Sequence, residues 1–143
     1  MLNQRLLMAA LLLVFAVSTA GGQGAAVTTQ QATPFMGTWM FTMTEPEHFK
    51  GSQQTVRIWD QNGRVAASVQ TGKFPPNNVT GIYRDGDMLV LTISHDAQPA
   101  LMENGVRLWA VISLTPDGDR MNMAQMLEHS ETIKKGIGKK QPE

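Results

Sequence analysis

The chain has 143 residues, with 12 basic and 12 acidic side chains and no cysteine. This balance of charge excludes the clustered basic surface that nucleic-acid binding requires. The absence of cysteine excludes disulfides, thiolate metal sites, cysteine catalysis and a lipid anchor on cysteine. A folded domain of this chain must therefore be stabilised by its hydrophobic core alone.

The N-terminal segment has the layout of a secretory signal peptide. Arg5 supplies a positive charge, an apolar run follows from Leu6 to Val17, and small residues come next. We predict removal of residues 1–20 by cleavage after Ala20, with cleavage after Gly24 as the alternative. A retained N-terminal anchor is the competing interpretation, although the run is short for a membrane span. The mature chain is expected to be secreted or periplasmic, with no membrane span.

The rest of the chain is predicted to hold one domain. Residues 21–33 are small and polar without periodicity, which indicates a disordered leader. Residues 34–139 alternate apolar and polar side chains with a period of two, which is typical of β-strands. Residues 140–143 are expected to form a flexible tail. Eight strands are predicted, at 37–44, 54–60, 64–70, 78–84, 87–94, 105–115, 119–128 and 131–138.

Three glycine-containing dipeptides predict tight turns between these strands: Asn62-Gly63, Asp85-Gly86 and Asp117-Gly118. Such dipeptides favour two-residue hairpin turns, in which both central residues have positive φ. Placing each dipeptide at the tip of its hairpin fixes a register, and the facing partners are then mostly apolar. The predicted pairs are Ile58 with Ala67, Val56 with Val69, Ile82 with Leu89, Thr80 with Leu91, Leu114 with Met121, Ile112 with Met123, Ala110 with Gln125, and Leu108 with Leu127.

Sequential antiparallel strands with one apolar face fit two architectures, a closed barrel or a two-sheet sandwich. Segment 100–107 is expected to contain at most one helical turn, so no helix is available to cover an open sheet. Closure of the sheet would remove both unpaired edges. The predicted fold is therefore all-β, a single eight-stranded antiparallel up-and-down barrel.

The first strand begins with Gly37-Thr38-Trp39. This motif resembles the G-x-W signature of the calycin group, which comprises lipocalins, fatty-acid-binding proteins and avidins. The resemblance implies a lipocalin-like barrel in which Gly37 and Trp39 are structural residues that close one end. It also implies that a basic residue of the last strand packs across the tryptophan. The candidates are Lys134, Lys135 and Lys139.

The predicted interior favours a cavity for a ligand. Small alanines leave space, methionines adapt to varied contacts, and a few polar groups lie among apolar walls. A completely filled barrel is the alternative, because eight strands enclose little volume. The predicted inward side chains that are not ligand contacts are Trp39, Val56, Val65, Val69, Thr80, Leu89, Ile93, Leu108, Ile112, Met121 and Leu127. The predicted ligand-binding residues are Phe41, Met43, Ile58, Ala67, Ile82, Leu91, Ala110, Met123, Gln125 and Lys135.

Lys135 is included because Ile133, Lys135 and Ile137 share one face of the last strand. In fatty-acid-binding members of the calycin group, a basic side chain near that strand meets the ligand carboxylate, and the resemblance implies this role for Lys135. The alternative is that Lys135 extends to water at the rim.

The outer face offers a second kind of site. The predicted register places Trp109 opposite Met126 with Val111 beside them, and an exposed apolar strip of this kind is typical of a protein partner surface or of a patch that touches a membrane. Cover by a loop or by the tail is the alternative.

No catalytic constellation, cofactor motif or metal-ligand spacing is apparent. His48, His95 and His129 lie in predicted loops or near strand ends, beside acidic residues, and lack the spacing of a metal site. We expect a non-enzymatic barrel that binds a small apolar or amphipathic ligand and has no cofactor. The alternative is a protein-interaction module with a filled barrel, for example an inhibitor of an exported enzyme.

Overall fold

The computed structural model describes residues 27–143. The predicted signal peptide and the first part of the predicted leader lie outside the described residues. Within residues 27–143, no helix is long and apolar enough to cross a membrane.

Strands and short turns make up the described chain, which contains two one-turn 3-10 helices, Thr33–Phe35 and Glu47–Phe49, and no α-helix. The alternation of apolar and polar residues therefore predicts the class of secondary structure correctly. The strands are β1 (Gly37–Glu45), β2 (Gln53–Gln61), β3 (Arg64–Thr71), β4 (Asn77–Asn78), β5 (Gly81–Asp85), β6 (Met88–Ile93), β7 (Met102–Glu103), β8 (Val106–Arg107), β9 (Ala110–Asp117), β10 (Arg120–Leu127) and β11 (Ile133–Lys140).

Nine of the strands form one curled antiparallel sheet in the order β4-β3-β2-β1-β11-β10-β9-β6-β5, and β7 and β8 form a separate hairpin. The all-β prediction is confirmed. The prediction of a closed eight-stranded barrel is wrong, because the sheet has two edge strands, β4 and β5, that do not pair with each other. It has the shape of a curled half-barrel.

The predicted fourth strand, 78–84, is divided because the chain changes partner at Val79 and Thr80. The N–H of Val79 donates to the Ala67 carbonyl on β3 (2.9 Å), and the N–H of Thr80 donates to the Thr92 carbonyl on β6 (2.8 Å). The Thr80 hydroxyl also donates to that carbonyl (3.0 Å) and accepts from the N–H of Ser94 (2.9 Å). One short segment thus links the two edges of the sheet, and Thr80, predicted to be a core residue, is exposed.

The first predicted hairpin is confirmed in turn and register. Ile58 is paired with Ala67, and Val56 with Val69. Both turn residues have positive φ, 57° at Asn62 and 84° at Gly63, as a type I′ turn requires.

The other two predicted registers are wrong by two residues. Ile82 is paired with Leu91 instead of Leu89, and Met123 with Leu114 instead of Ile112. The turn tips are therefore glycine and the following aspartate. A shift of two leaves every side chain on its predicted face.

The shifted registers also move the remaining predicted pairs. Met121 is opposite Pro116, Gln125 is opposite Ile112, and Leu127 is opposite Ala110. Leu108 precedes β9, and Thr80 lies between β5 and β4, so neither has its predicted ladder partner.

The concave face of the sheet holds a continuous hydrophobic core. Phe35, which was not predicted to be inward, and Leu114, which was predicted as the facing partner of Met121, are both fully buried there. Ile82, Val65 and Leu127 are partly buried against this core. The predicted inward residues that are buried are Trp39, Phe41, Met43, Val56, Ile58, Ala67, Val69, Leu89, Leu91, Ile93, Leu108, Ala110, Ile112, Met121, Met123 and Gln125.

One end of the curled sheet is filled where β1 begins. The Trp39 Nε1–H donates to the Phe35 carbonyl at 2.9 Å, and both side chains are buried. Gly37 has a φ of 110°, and a Cβ at this position would lie 2.7 Å from Cε of Lys140. The basic side chain beside Gly37 is Lys140, and the packing of a basic residue across Trp39 stays a prediction.

The two faces of β11 are the reverse of the prediction. Gly136 and Gly138 are buried on the concave face, where a Cβ would lie within 3.0 Å of Met43 and Phe41 atoms respectively. Ile133 and Ile137 are exposed on the convex face. Lys135 also lies there, with its Nζ 3.8 Å from Oε2 of Glu45. The prediction that Lys135 points inward is therefore wrong.

The ends of the described chain are ordered against the sheet. Val27 and Ala32, within the predicted leader, are buried, and Thr28 forms a β-bridge with Arg64. At the other end, β11 includes Lys140, and the N–H of Gln141 donates to the Thr38 carbonyl at 2.7 Å. The folded domain is thus longer at both ends than residues 34–139.

Candidate functional site: a cavity at the open end of the sheet

The end of the sheet opposite Trp39 is open and contains two adjoining cavities, of about 480 Å³ and about 380 Å³. Strand β1 ends here, β2 and β11 begin here, and the β7–β8 hairpin lies beside them. We call this region the mouth. Six residues line both cavities: Phe49, Glu103, Leu108, Gln125, Leu127 and Lys134.

Lys134 is the cationic residue of the mouth. Its side chain is half-buried, and its Nζ lies 3.9 Å from the centroid of the Phe49 ring. Burial lowers the pKa of Lys134 from its ordinary value, and Glu103 opposes this effect. Within the described chain, Lys134 belongs to none of the ion pairs with a separation of 4.0 Å or less. Its ammonium group is therefore partly desolvated and can accept an anionic partner.

Two buried glutamines lie on the concave side of the mouth. Gln54 is 5% exposed and Gln125 is 6% exposed, and both line the 380 Å³ cavity. The Gln54 Nε2 donates to Oγ1 of Thr71 at 3.1 Å. Neither side-chain oxygen has a hydrogen-bond partner in the part of the chain that the structure describes. Both oxygens are also closed off from the cavity itself, and a buried amide oxygen without a partner costs about 1–3 kcal/mol.

Apolar side chains make up most of the remaining wall of the 380 Å³ cavity, whereas the 480 Å³ cavity is lined about equally by polar groups, which include the carboxylates of Glu103 and Glu128. Phe49, Leu101 and Leu127 are partly buried and pack against the core, and Leu108 is 4% exposed. An apolar cavity of a few hundred Å³ with a small number of converging polar groups is typical of a small-molecule site.

The β7–β8 hairpin forms one side of the mouth. Asn104 and Gly105 have φ values of 51° and 78°, as in a type I′ turn. The N–H of Leu108 donates to the Leu101 carbonyl at 2.8 Å and closes the base of the hairpin. The prediction of a continuous strand at 105–115 is wrong here. The Asn104-Gly105 dipeptide was the signal for this hairpin, since Asn62-Gly63 forms the same kind of turn.

A histidine–carboxylate cluster borders the larger cavity. The Glu128 Oε2 is hydrogen-bonded to Nε2 of His95 and accepts from the N–H of Trp109 at 3.1 Å. The Nε2 of His129 lies 3.6 Å from the Glu128 Oε1. The hydrogen bond from His95 is the main cause that lowers the pKa of Glu128. Among residues 27–143, no group of three or more potential ligands is arranged to hold a metal ion.

The predicted ligand-binding residues lie in four different places. Gln125 lines the mouth, and Ile82 lines a separate cavity of about 210 Å³. Lys135 is on the convex face. A role in ligand binding stays a prediction for the others, which are buried in the core: Phe41, Met43, Ile58, Ala67, Leu91, Ala110 and Met123.

Sequence reasoning missed Gln54, Phe49 and Lys134. Gln54 alternates with Val56 and Ile58 along β2, and this period of two was the signal that it faces inward. Phe49 lies in a 3-10 turn that the strand pattern does not cover. The inward position of Lys134 follows from its pairing with Gln125.

The predicted strip on the convex face differs from the prediction in its pairing. Met126 is opposite Val111 on one side and Ile133 on the other, so Trp109 is not its partner. Trp109 is 36% exposed, Met126 43% and Ile133 46%, while Val111 is half-buried. The strip therefore extends across β9, β10 and β11.

We compared the chain with protein-family models, with curated proteins and with solved structures, and found no match in any of the three comparisons.

Proposed function

We propose that this protein is a secreted or periplasmic, non-enzymatic binding protein whose mouth takes a small amphipathic molecule with an anionic group. Lys134 would hold the anionic group, and the apolar part would lie against Leu101, Leu108 and Leu127. We also propose that the arrangement is lipocalin-like, with one end of the sheet filled and a ligand site at the other. This is supported by the burial of Trp39 at one end and by the cavity at the opposite end.

The placement of Lys134 is the observation that carries this proposal. An exposed lysine keeps its hydration shell, whereas Lys134 lies over the Phe49 ring inside an apolar cavity. A charge-assisted hydrogen bond to such a group contributes about 1.5–3 kcal/mol, more than a neutral hydrogen bond does. A carboxylate in the mouth would gain this interaction, and a neutral analogue would not.

The test is a calorimetric titration of undecanoate into the protein, with the ligand kept below its critical micelle concentration. Lys134→Gln should weaken binding by about 10-fold to 100-fold, the equivalent of about 1.5–3 kcal/mol. Lys135→Gln, on the convex face of the same strand, is the matched control and should bind as the wild type does. Undecan-1-ol should bind the wild type more weakly than undecanoate. Equal affinities of the two lysine variants, or no binding by the wild type, would refute the proposal.

A second candidate function is interaction with a protein partner through the convex face. It is supported by the apolar strip of Trp109, Val111, Met126 and Ile133, because large exposed apolar residues in adjacent strands are typical of partner surfaces. Met126→Lys, which changes this strip and leaves the mouth intact, should abolish partner binding without altering the affinity for undecanoate.

A further inference from the structure

We infer that Asn104, in the turn of the β7–β8 hairpin, is a site of spontaneous deamidation, and that its conversion to aspartate or isoaspartate weakens anion binding in the mouth. The modification itself is independent of the proposed function, and only its effect on the ligand rests on that function. The chain contains two Asn-Gly dipeptides, Asn62-Gly63 and Asn104-Gly105, in turns of the same kind. Their surroundings differ in two ways that expose Asn104 to this reaction.

Deamidation is an attack of the backbone on a side chain. Asparagine before glycine favours it, because glycine has no side chain to hinder the approach of its backbone nitrogen. That nitrogen loses its proton and forms a bond to Cγ of the asparagine, the bond from Cγ to Nδ2 breaks, and ammonia leaves. Water then opens the resulting succinimide ring. Opening at the side-chain carbonyl gives aspartate, and opening at the main-chain carbonyl gives isoaspartate, whose backbone runs through Cβ.

The first difference concerns the nitrogen that would attack. The N–H of Gly63 donates to Oδ1 of Asp60 at 2.8 Å. A hydrogen bond to a carboxylate is strong, and this one holds the proton that has to leave. The equivalent position of the second turn, three residues before the glycine, is Met102, which has no such oxygen. The N–H of Gly105 has no hydrogen-bond acceptor within residues 27–143.

The second difference is the stability of the hairpin around each turn. Strands β7 and β8 have two residues each and are separate from the main sheet. Residues 102–107 are all exposed, so this hairpin buries no side chain. The turn at Asn62 joins β2 and β3, which have nine and eight residues and contribute to the core. A short hairpin without a buried face opens easily, and opening gives Asn104 the freedom that ring closure requires.

The position of Asn104 connects this reaction to the mouth. Asn104 lines the 480 Å³ cavity together with Lys134, Glu103 and Glu128. Either product replaces a neutral amide by a carboxylate. A further negative charge in this wall repels an anionic ligand and competes for the ammonium group of Lys134. Isoaspartate also adds a backbone atom to the turn, so the hairpin loses its two-residue geometry.

The experiment measures both conversions in one sample of the folded protein. The full chain is incubated at mildly alkaline pH, and peptide mapping by mass spectrometry quantifies deamidation at Asn104 and at Asn62 over time. We expect Asn104 to convert at least about tenfold faster, a difference in protection of about 1.4 kcal/mol. In guanidinium chloride the two rates should be nearly equal, because the dipeptides are identical and only the structure distinguishes them.

Three variants test the causes and the consequence. Asp60→Ala removes the acceptor of the Gly63 N–H and should accelerate conversion of Asn62. Asn104→Asp places the charge of the product in the mouth and should weaken undecanoate binding about twofold to fivefold, the effect of one screened charge near a surface. Asn104→Gln is the matched control, because glutamine would have to close a larger ring. Its affinity for undecanoate should stay constant during incubation, whereas that of the wild type should fall.

Three results would overturn the inference. The first is conversion of Asn62 in the folded protein as fast as that of Asn104. The second is an unchanged rate at Asn62 in Asp60→Ala, since the hydrogen bond would then give no protection. The third is an undecanoate affinity of Asn104→Asp equal to that of the wild type. If the wild type does not bind undecanoate, the proposed function fails by itself, and the conversion rates alone decide whether Asn104 is a modification site.

Discussion

Lys134 illustrates at the scale of one residue how a binding group can be unfavourable for folding. Burial lowers its pKa, so the folded protein releases this proton at a lower pH than the unfolded chain does. Between the lowered pKa and the ordinary value of 10.5, the unfolded state binds more protons than the folded state. Stability therefore rises with pH across that window, and below it the buried charge has its full cost.

This linkage predicts the effect of Lys134→Met on the ligand-free protein. Methionine keeps an apolar contact with the Phe49 ring and removes the charge. At pH 7 the free energy of unfolding should increase by less than about 1 kcal/mol, because solvent screens a side chain that is only half-buried. The gain should shrink as the pH approaches 10.5, where the wild-type lysine is also neutral. Denaturant unfolding of the wild type and the variant at pH 7 and at pH 10 measures the gain in stability and its decrease with pH, and Lys135→Met is the control. A loss of stability at pH 7 would contradict the prediction.

The sequence misleads about this residue for a physical reason. Along β11, one face carries Ile133, Lys135 and Ile137. Because two of these three side chains are apolar, the hydrophobic pattern assigns that face to the core. The concave face instead holds Gly136 and Gly138, whose missing side chains leave space for Phe41 and Met43 of β1. Glycine has no side chain to contribute to a hydrophobic pattern, so the period of two does not identify a buried face that is made of glycines.

At the scale of one element, the hairpins show what a turn dipeptide can and cannot predict. Asn62-Gly63 has positive φ at both positions, and its register is predicted correctly. The sequences around Gly86 and Gly118 are both Asp-Gly-Asp, and only the glycine has positive φ, 60° in each case. That is the requirement of a type II′ turn, in which glycine is the first central residue. Relative to the prediction, the tip of each turn thus moves by one residue along the chain, and the pairing of the two strands shifts by two residues.

These φ values predict different effects for adjacent residues of one turn. Gly118→Ala should destabilise the protein by about 1–2 kcal/mol, because an L-residue with positive φ is strained. For a domain of this size, such a loss lowers Tm by several degrees, at about 4–8 °C per kcal/mol. Asp119→Ala changes a residue without positive φ and should leave Tm nearly unchanged. Thermal unfolding of both variants measures the difference, and equal effects would contradict the type II′ assignment.

At the scale of the whole molecule, the period of two predicts an all-β chain and most of its core, but not the way in which the sheet ends. The sheet stays open between β4 and β5, and Val79 and Thr80 span this gap through backbone hydrogen bonds to β3 and β6 respectively. Backbone bonds of this kind leave no mark in a hydrophobic pattern. The mouth was equally hard to predict, because Gln54 on β2 is far in sequence from Gln125 and Lys134, which lie on the consecutive strands β10 and β11.

The position of β11 makes the C-terminal segment essential for the fold. This strand lies between β1 and β10 in the middle of the sheet, so the first and last strands of residues 27–143 are paired. Pairing at this separation in sequence is completed only when the whole chain is available, which is typical of slowly folding β proteins. Without β11, the edges of β1 and β10 would be unpaired, and Phe41, Met43 and Met123 would lose their cover.

Deletion of residues 133–143 should therefore abolish cooperative folding, although it removes only the last strand and the end of the chain. The expected product binds a hydrophobic dye, shows no cooperative thermal transition and associates through its exposed edges. Deletion of residues 142–143 is the control and should leave Tm unchanged, because those residues follow the last backbone contact, from Gln141 to Thr38. Near-ultraviolet circular dichroism and analytical centrifugation distinguish the two products. A monomeric, cooperatively unfolding protein without residues 133–143 would show that the remaining strands form the core without β11.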